Sequence, residues 1–337
     1  MTQFRPLPQE RPARMAVLDD YMGVAHRLAP WAQLAGKAEV EFLTEVLPQD
    51  LDAAAARLQG YDAICLLRER SAMPGELLRR LPGLKAIAAT GRQNRTLDQA
   101  AADDLGIAVM TTTGSGNGVY ATVELAWGLI IALMRHIPEE CAGMREGAWQ
   151  TRLGNALYGR SIGLVGLGKL GTRMAQIARA FGMEVLAWSP NLTPERAEAA
   201  GARYLPKAEL LRTADVVSLH LVLGPTTRGI LGAIDLAQMK PGAILINTAR
   251  GPLVDTPALV DALRDGPLRG AGIDVYDHEP LAADAPIRRQ ANALITPHLG
   301  YSVQETFEAF YGETVENLES WLAGAPIRLA AQGEPRK

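Results

Sequence analysis

Small residues at a turn let backbone amides come up against a phosphate, and one run of this chain has that pattern. It reads Ile162-Gly163-Leu164-Val165-Gly166-Leu167-Gly168-Lys169-Leu170-Gly171. An apolar strand enters it and a helix-forming stretch, Thr172–Phe181, leaves it. Gly166 permits a tight turn, Gly168 lets the backbone approach a pyrophosphate, and Gly171 allows the helix to pack closely on the strand. The free amides and positive dipole end of that helix then face the diphosphate. With 33 glycines in the chain, a bare G-x-G-x-x-G arises easily by chance. The alternative is a turn that only needs positive φ; the strand before and the helix after favour a dinucleotide site.

A carboxylate is expected about 20 residues further on, to hold the ribose hydroxyls. Trp188-Ser189-Pro190-Asn191 offers none, so Ser189 and Asn191 can hydrogen-bond either NAD or NADP. NAD is favoured because no arginine directly follows Ser189. The nearest cation, Arg196, reads as a solvated helix position.

Three more segments deliver charged side chains just beyond short apolar runs. Ile244-Leu245-Ile246-Asn247-Thr248-Ala249-Arg250-Gly251 ends on an arginine. Gly270-Ala271-Gly272-Ile273-Asp274-Val275-Tyr276-Asp277-His278-Glu279-Pro280 carries two carboxylates to the same kind of position. Leu294-Ile295-Thr296-Pro297-His298-Leu299-Gly300 places a histidine there. In open α/β sheets that edge is where ligands bind.

The elements that must hold these residues follow from hydrophobic periodicity. Strands are expected at Met15–Leu18, Val40–Leu43, Ala63–Leu67, Leu84–Ala88 and Ile107–Met110. A second series runs through Ile162–Val165, Glu184–Trp188, Val216–Leu221, Ala243–Asn247, Ala271–Val275 and Ala293–Ile295. Helices are expected between them at Leu51–Leu58, Gly75–Leu81 and Asp98–Leu105, the last closed by Gly106. Val119–His136 reads as one long helix, apolar on most faces, and Gly143–Arg160 as irregular. The last helix, Val303–Leu322, sets Phe307, Phe310, Tyr311, Val315 and Leu318 on one stripe, and Ala331–Lys337 reads as a frayed tail. Strands alternating with helices predict parallel sheets in an α/β fold.

At 337 residues the chain exceeds one ordinary core, so two lobes are expected. A net charge of -3 gives no reason to expect nucleic acid as partner. The longest apolar stretch, Leu125–Met134, falls short of a bilayer, and Met1–Arg14 is too charged for a secretory leader. No membrane partner and a cytoplasmic location are expected. Cys65 and Cys141 lack metal-ligand spacing and read as buried free thiols, so no metal is expected.

In order and length, these segments resemble the D-isomer-specific 2-hydroxyacid dehydrogenases, the family of phosphoglycerate, glycerate and D-lactate dehydrogenases. The resemblance runs from about Ala63 to Pro326. It implies two doubly wound lobes: a Rossmann cofactor domain over residues 116–300, and a flavodoxin-like substrate domain over 1–115 completed by 301–337, with a cleft between them. It implies a catalytic Arg, Glu and His, which fall on Arg250, Glu279 and His298.

An arginine fork matches a carboxylate and polarises the adjacent carbonyl. A histidine can exchange a proton with the ketone oxygen, and a bonded glutamate would fix its tautomer and favour the imidazolium. His278, next to Glu279, fits the pattern less well. The cofactor would meet Gly166, Gly168, Lys169, Leu170, Gly171, Ser189, Asn191, Thr227, Thr248 and Gly300. His220 would line its adenine side and Asp274 would bond the nicotinamide carboxamide, or else cap the strand exit. A small 2-keto or 2-hydroxy acid is the implied substrate and a homodimer the implied assembly, with the Val119–His136 helix in its interface.

The chain departs from that pattern in places. Where relatives grip the substrate carboxylate with glycine amides, this loop is Thr90-Gly91-Arg92-Gln93-Asn94-Arg95. Arg92 and Gln93 are therefore candidate substrate contacts, and Arg92 with Arg68 or Arg70 could read a second anionic group; a solvated charge run is the alternative. Val222 stands where relatives often carry proline. Glu279 points away from the formate dehydrogenases, which have an amide there. The lack of a domain after Pro326 points away from the long regulated phosphoglycerate dehydrogenases. A rival from another class is a redox-sensing module that binds NADH to change partners.

Overall fold

Strands buried on both faces of a parallel sheet need uninterrupted apolar side chains, and the short Val-, Ile- and Ala-rich runs of this chain meet that demand. The computed structural model describes residues 4–5, 11–114 and 116–330; the expected tail at 331–337 lies outside them. Two compact units divide the chain, Met1–Val119 with Val303–Lys337, and Tyr120–Ser302.

The first unit holds β1 (Ala13–Val17), β2 (Ala38–Phe42), β3 (Ala63–Leu66), β4 (Ala86–Ala89) and β5 (Ala108–Thr111). They form one parallel sheet in the order β2-β1-β3-β4-β5, the flavodoxin-like order. Ile64 pairs with Ala16 on one side and Ile87 on the other, and all three are fully buried. Asp98 caps the helix Gln99–Asp104 by accepting the Ala101 amide. The helix Gln304–Leu322 belongs to this unit and buries the expected stripe, together with Trp321. Tyr311 packs on Trp31 at 5.9 Å between ring centroids, and burying each such side chain contributes roughly 1.5–3 kcal/mol.

The second unit holds β6 (Ser161–Val165), β7 (Glu184–Trp188), β8 (Arg203–Tyr204), β9 (Val216–Leu219), β10 (Ile244–Asn247), β11 (Gly270–Ile273) and β12 (Ala293–Ile295). Their order, β12-β11-β10-β9-β6-β7-β8, is all parallel. The direction of travel reverses between β6 and β9, the topological switch point of a Rossmann sheet. The two-residue edge strand β8 and the helix Ile137–Arg145 have no counterpart among the expected elements.

The helix Ala121–Arg135 packs Val123, Ala126 and Ile130 into a core with Ile162, Ile244 and Ile246. The segment Gly118–Arg135 is long and apolar enough, by length and composition alone, to cross a bilayer. Its inner face completes the sheet's core, which accounts for part of that composition. One expectation needs correction: Cys65 is buried, but Cys141 is exposed. It sits on the helix Ile137–Arg145, which buries none of its residues.

Candidate active site

The glycine run folds as strand, turn and helix. Gly166 has φ +108° and lies so close to β9's exit that a Cβ would sit 2.7 Å from the His220 carbonyl carbon. At Gly171 a Cβ would fall 2.1 Å from the Gly166 carbonyl oxygen, so the helix Lys169–Ala180 touches the turn directly. Gly168 differs: a Cβ there meets nothing within 4 Å. The open space at that helix start, with no acidic residue in its first turn, fits a diphosphate. Lys169 lies against the Tyr120 ring at 5.9 Å, and Leu170 packs toward the core.

Around the turn lie the other candidate cofactor contacts. Thr248, at the exit of β10, is buried and its hydroxyl has no hydrogen-bond partner among the described residues, a second feature that fits a polar ligand. Thr227 closes the loop after β9 by donating to the Val222 carbonyl (2.7 Å) and accepting from the Gly224 amide (2.8 Å). Ser189 and Asn191 follow β7; Arg196 reaches back to the Asn191 carbonyl at 2.7 Å, which brings a cation to that loop.

His220 pairs through Nε2 with Ser218 Oγ at 2.9 Å, and burial pushes its imidazole down to about 4. The unfolded chain takes up that proton near 6.5, so between the two values the unfolded state binds more protons. The stability this neutral ring contributes is full above about pH 6.5 and is lost as pH falls toward 4. We expect the ligand-free protein to lose melting temperature over that window, by the equivalent of up to about 3 kcal/mol. In His220→Asn the decline should be shallower; parallel curves for the two proteins would reject the assignment.

The catalytic candidates converge at the exits of β10, β11 and β12. Asn247 folds the first exit: its side chain donates to the Arg250 carbonyl (2.9 Å) and accepts the Ala249 amide (3.1 Å). Arg250 emerges extended from that turn and donates from Nη1 to the Ala249 carbonyl at 2.7 Å. His298 Nδ1 meets Glu279 Oε2 at 2.5 Å, with both side chains about three-quarters buried. Glu279 bonds this histidine rather than the adjacent, exposed His278. Burial alone would push Glu279 up. The hydrogen bond and charge of His298, the Tyr276 amide and the charge of Arg250 together bring it below the usual carboxylate range. Glu279 therefore stays ionised through neutral and mildly acidic pH, and Arg250 lies near enough to act on it.

Asp274 turns inward. Its Oδ1 accepts from Thr296 Oγ1 (2.6 Å) and the Leu299 amide (2.7 Å), and its Oδ2 from the Gly300 amide (2.8 Å). These bonds brace the turn that carries His298, whose own φ is +53°. Burial holds Asp274 above the usual carboxylate range despite those donors. Asn247 and Thr296 were not singled out as functional by spacing, yet each shapes a turn that presents a catalytic candidate. The hint available in the sequence was a short polar side chain at a strand exit, a residue type that bonds its own turn.

Arg92 and Gln93 lie on the other unit, exposed, in the loop after β4. Arg92 Nε donates to the Thr113 carbonyl at 2.6 Å. Among the described residues, no cluster of His, Cys, Asp or Glu suited to a metal ion is found.

Comparison with known proteins agrees with this construction. Residues 127–300 match the family model described as "D-isomer specific 2-hydroxyacid dehydrogenase, NAD binding domain". A D-3-phosphoglycerate dehydrogenase of Mycobacterium tuberculosis is 36% identical over 305 residues, covering 89% of this chain and 56% of that protein. The chain thus spans little more than half the length of that curated relative. A glyoxylate reductase of Aeropyrum pernix is 34% identical over 85% of this chain and 87% of its own length. The crystal structure of a phosphoglycerate oxidoreductase from Vibrio cholerae superposes with a TM-score of 0.86 at 35% identity, covering 93% of this chain and all of that one. A cofactor-type sheet, a glycine turn at its switch point and the Arg, Glu and His at its ligand-binding edge accord with these matches, and the chain belongs to the D-isomer-specific 2-hydroxyacid dehydrogenase family.

Proposed function

We propose that the protein is an NAD(P)-dependent oxidoreductase that interconverts a small 2-keto acid, such as glyoxylate or hydroxypyruvate, with its D-2-hydroxy acid. The observation that carries this reading is the 2.5 Å His298–Glu279 bond at the same sheet edge as Arg250. When bound, the dihydronicotinamide supplies the hydride that reduces the carbonyl carbon. Arg250 holds the substrate carboxylate with its planar fork and draws electron density from the neighbouring carbonyl. With Nδ1 committed to Glu279, His298 presents Nε2, and the protonated ring gives that proton to the ketone oxygen. In the oxidative direction the neutral ring takes the hydroxyl proton back. Glu279 holds the tautomer and offsets the positive charge of the imidazolium.

Gly166, Gly168 and Gly171, with the amides of the following helix, are the proposed diphosphate cradle. Thr248 faces the nicotinamide end and His220 the adenine end in this reading. The ribose end lacks a carboxylate and has Arg196 on its loop, so NAD and NADP are both proposed, and direct titration decides between them. A homodimer is proposed as well. Leu153, 94% exposed, lines a groove together with Ile131, Ile137 and Met144, and Trp149 and Tyr158, close by in sequence, are 75% and 83% exposed. Apolar surface of that kind marks an association site.

The test is steady-state turnover with NADH and NADPH against glyoxylate, hydroxypyruvate, pyruvate and 3-phosphohydroxypyruvate, alongside sedimentation of the protein. Turnover of at least one acid by a dimer is expected. Tight NADH binding with no turnover on any of them would replace the dehydrogenase reading with that of a redox-sensing module.

A further inference from the structure

Three loops of the active site meet at one residue whose side chain none of the preceding roles uses. Tyr276 lies in the turn after β11, and its amide donates to Glu279 Oε1 at 2.9 Å, while Oε2 of the same carboxylate faces His298. Its phenol donates to the Thr296 carbonyl at 2.8 Å, with the Ile273 carbonyl at 3.1 Å as the longer alternative. That Thr296 carbonyl also accepts the His298 amide at 3.0 Å. On its third side the backbone of Tyr276 is pressed by the Arg250 turn: a Cβ on Gly251 would lie 2.1 Å from the Tyr276 carbonyl carbon.

We propose that Tyr276 is a positioning residue for the Glu279–His298 pair, its amide fixing one oxygen of the carboxylate and its phenol fixing the carbonyl that anchors the His298 turn. Its effect on turnover rests on the dehydrogenase reading above. The 2.5 Å contact between Nδ1 and Oε2 requires two side chains from different strand exits to keep their separation to a few tenths of an ångström. Asp274 braces the His298 turn from within the sheet, but it makes no bond to Glu279 among those described. Tyr276 bonds Glu279 directly and reaches the His298 turn through the Thr296 carbonyl, by groups separated by one side chain whose ring packs against the core of the unit. Burial, reinforced by the Asp274 and Glu279 carboxylates, pushes the phenol up to about 12, so it remains a donor across the working range. A phenylalanine would keep the amide and the ring packing and remove only the phenolic bond.

Tyr276→Phe therefore isolates the proposal. The downfield Nδ1–H proton resonance of His298, identified by its loss in His298→Gln, is expected to shift or broaden in Tyr276→Phe while the melting temperature stays near that of the wild type. Turnover of the best keto acid should fall about tenfold, the equivalent of one lost hydrogen bond, with NADH affinity within about twofold, since the glycine turn is untouched. In a His298→Gln background the same substitution should cost less than about twofold, because a residue acting through His298 has nothing left to position. A resonance and turnover both at wild-type values would overturn the proposal, as would an equal loss in the His298→Gln background. A shifted resonance in a protein whose wild type reduces none of the acids would uphold the positioning role and overturn the dehydrogenase reading instead.

Discussion

In His298→Gln, reduction of the best 2-keto acid should slow by about 10²–10⁴-fold while NADH binding stays within about twofold of wild type. The magnitude follows from what the imidazole alone supplies. Hydride delivery to a carbonyl builds negative charge on oxygen, and without a positioned acid that charge must be met by water or by Arg250 alone. His298 offers Nε2 because Nδ1 is bound to Glu279 at 2.5 Å, and the turn bearing it is held in a left-handed conformation by three bonds to Asp274. Glutamine fits the volume and can hydrogen-bond a ketone oxygen, but it has no proton to give. The affinity for NADH is the control because the proposed diphosphate cradle lies at a different strand exit, after β6. A variant that keeps most of its turnover would show that the proton comes from elsewhere; one that also loses NADH binding would show only that the fold was disturbed.

Much of this architecture could be read from the sequence, and two of the parts that could not share a physical cause. β3, β6 and β10 are buried along their whole lengths, so their residues form continuous apolar runs that stand out against any background. β8 has two residues, neither fully buried, and leaves no such trace. The helix Ile137–Arg145 buries no residue, so it has no apolar face to generate a period; its available signals were Pro138, Glu139 and Glu140 in the first turn and Arg145 in the last. Cys141, on that helix, is exposed for the same reason.

The site shows the same division. Arg250, Glu279 and His298 each lie beyond a recognisable strand, but their roles are what the family resemblance implies rather than what that spacing shows. The sequence left Asp274 open between a cofactor contact and a cap on the strand exit, because spacing along a chain does not say whether a carboxylate there faces solvent or backbone amides. The bonds of Tyr276 were hidden likewise, since they link residues 3 and 20 positions apart across two turns.

Replacing Gly171 by alanine should destabilise the protein by at least about 1–3 kcal/mol and weaken NADH binding at the same time. Helix propensity argues the other way: alanine inside a helix is favoured over glycine by about 1 kcal/mol. The site decides against propensity because the new Cβ would sit 2.1 Å from the Gly166 carbonyl oxygen, well inside contact distance. That oxygen cannot retreat. The Gly166 amide is bonded to the Trp188 carbonyl at 2.8 Å, and Gly166 itself is pressed against the His220 carbonyl at φ +108°. The helix Lys169–Ala180 must therefore move off the turn, taking with it the amides proposed to hold the diphosphate. Gly168→Ala separates the two effects, since a Cβ there meets no protein atom within 4 Å. It should leave the melting temperature unchanged and weaken NADH alone, because its methyl group would project into the space assigned to the diphosphate. If both variants bound NADH as the wild type does, the nucleotide would not sit on this turn, and the dehydrogenase reading would lose its cofactor site.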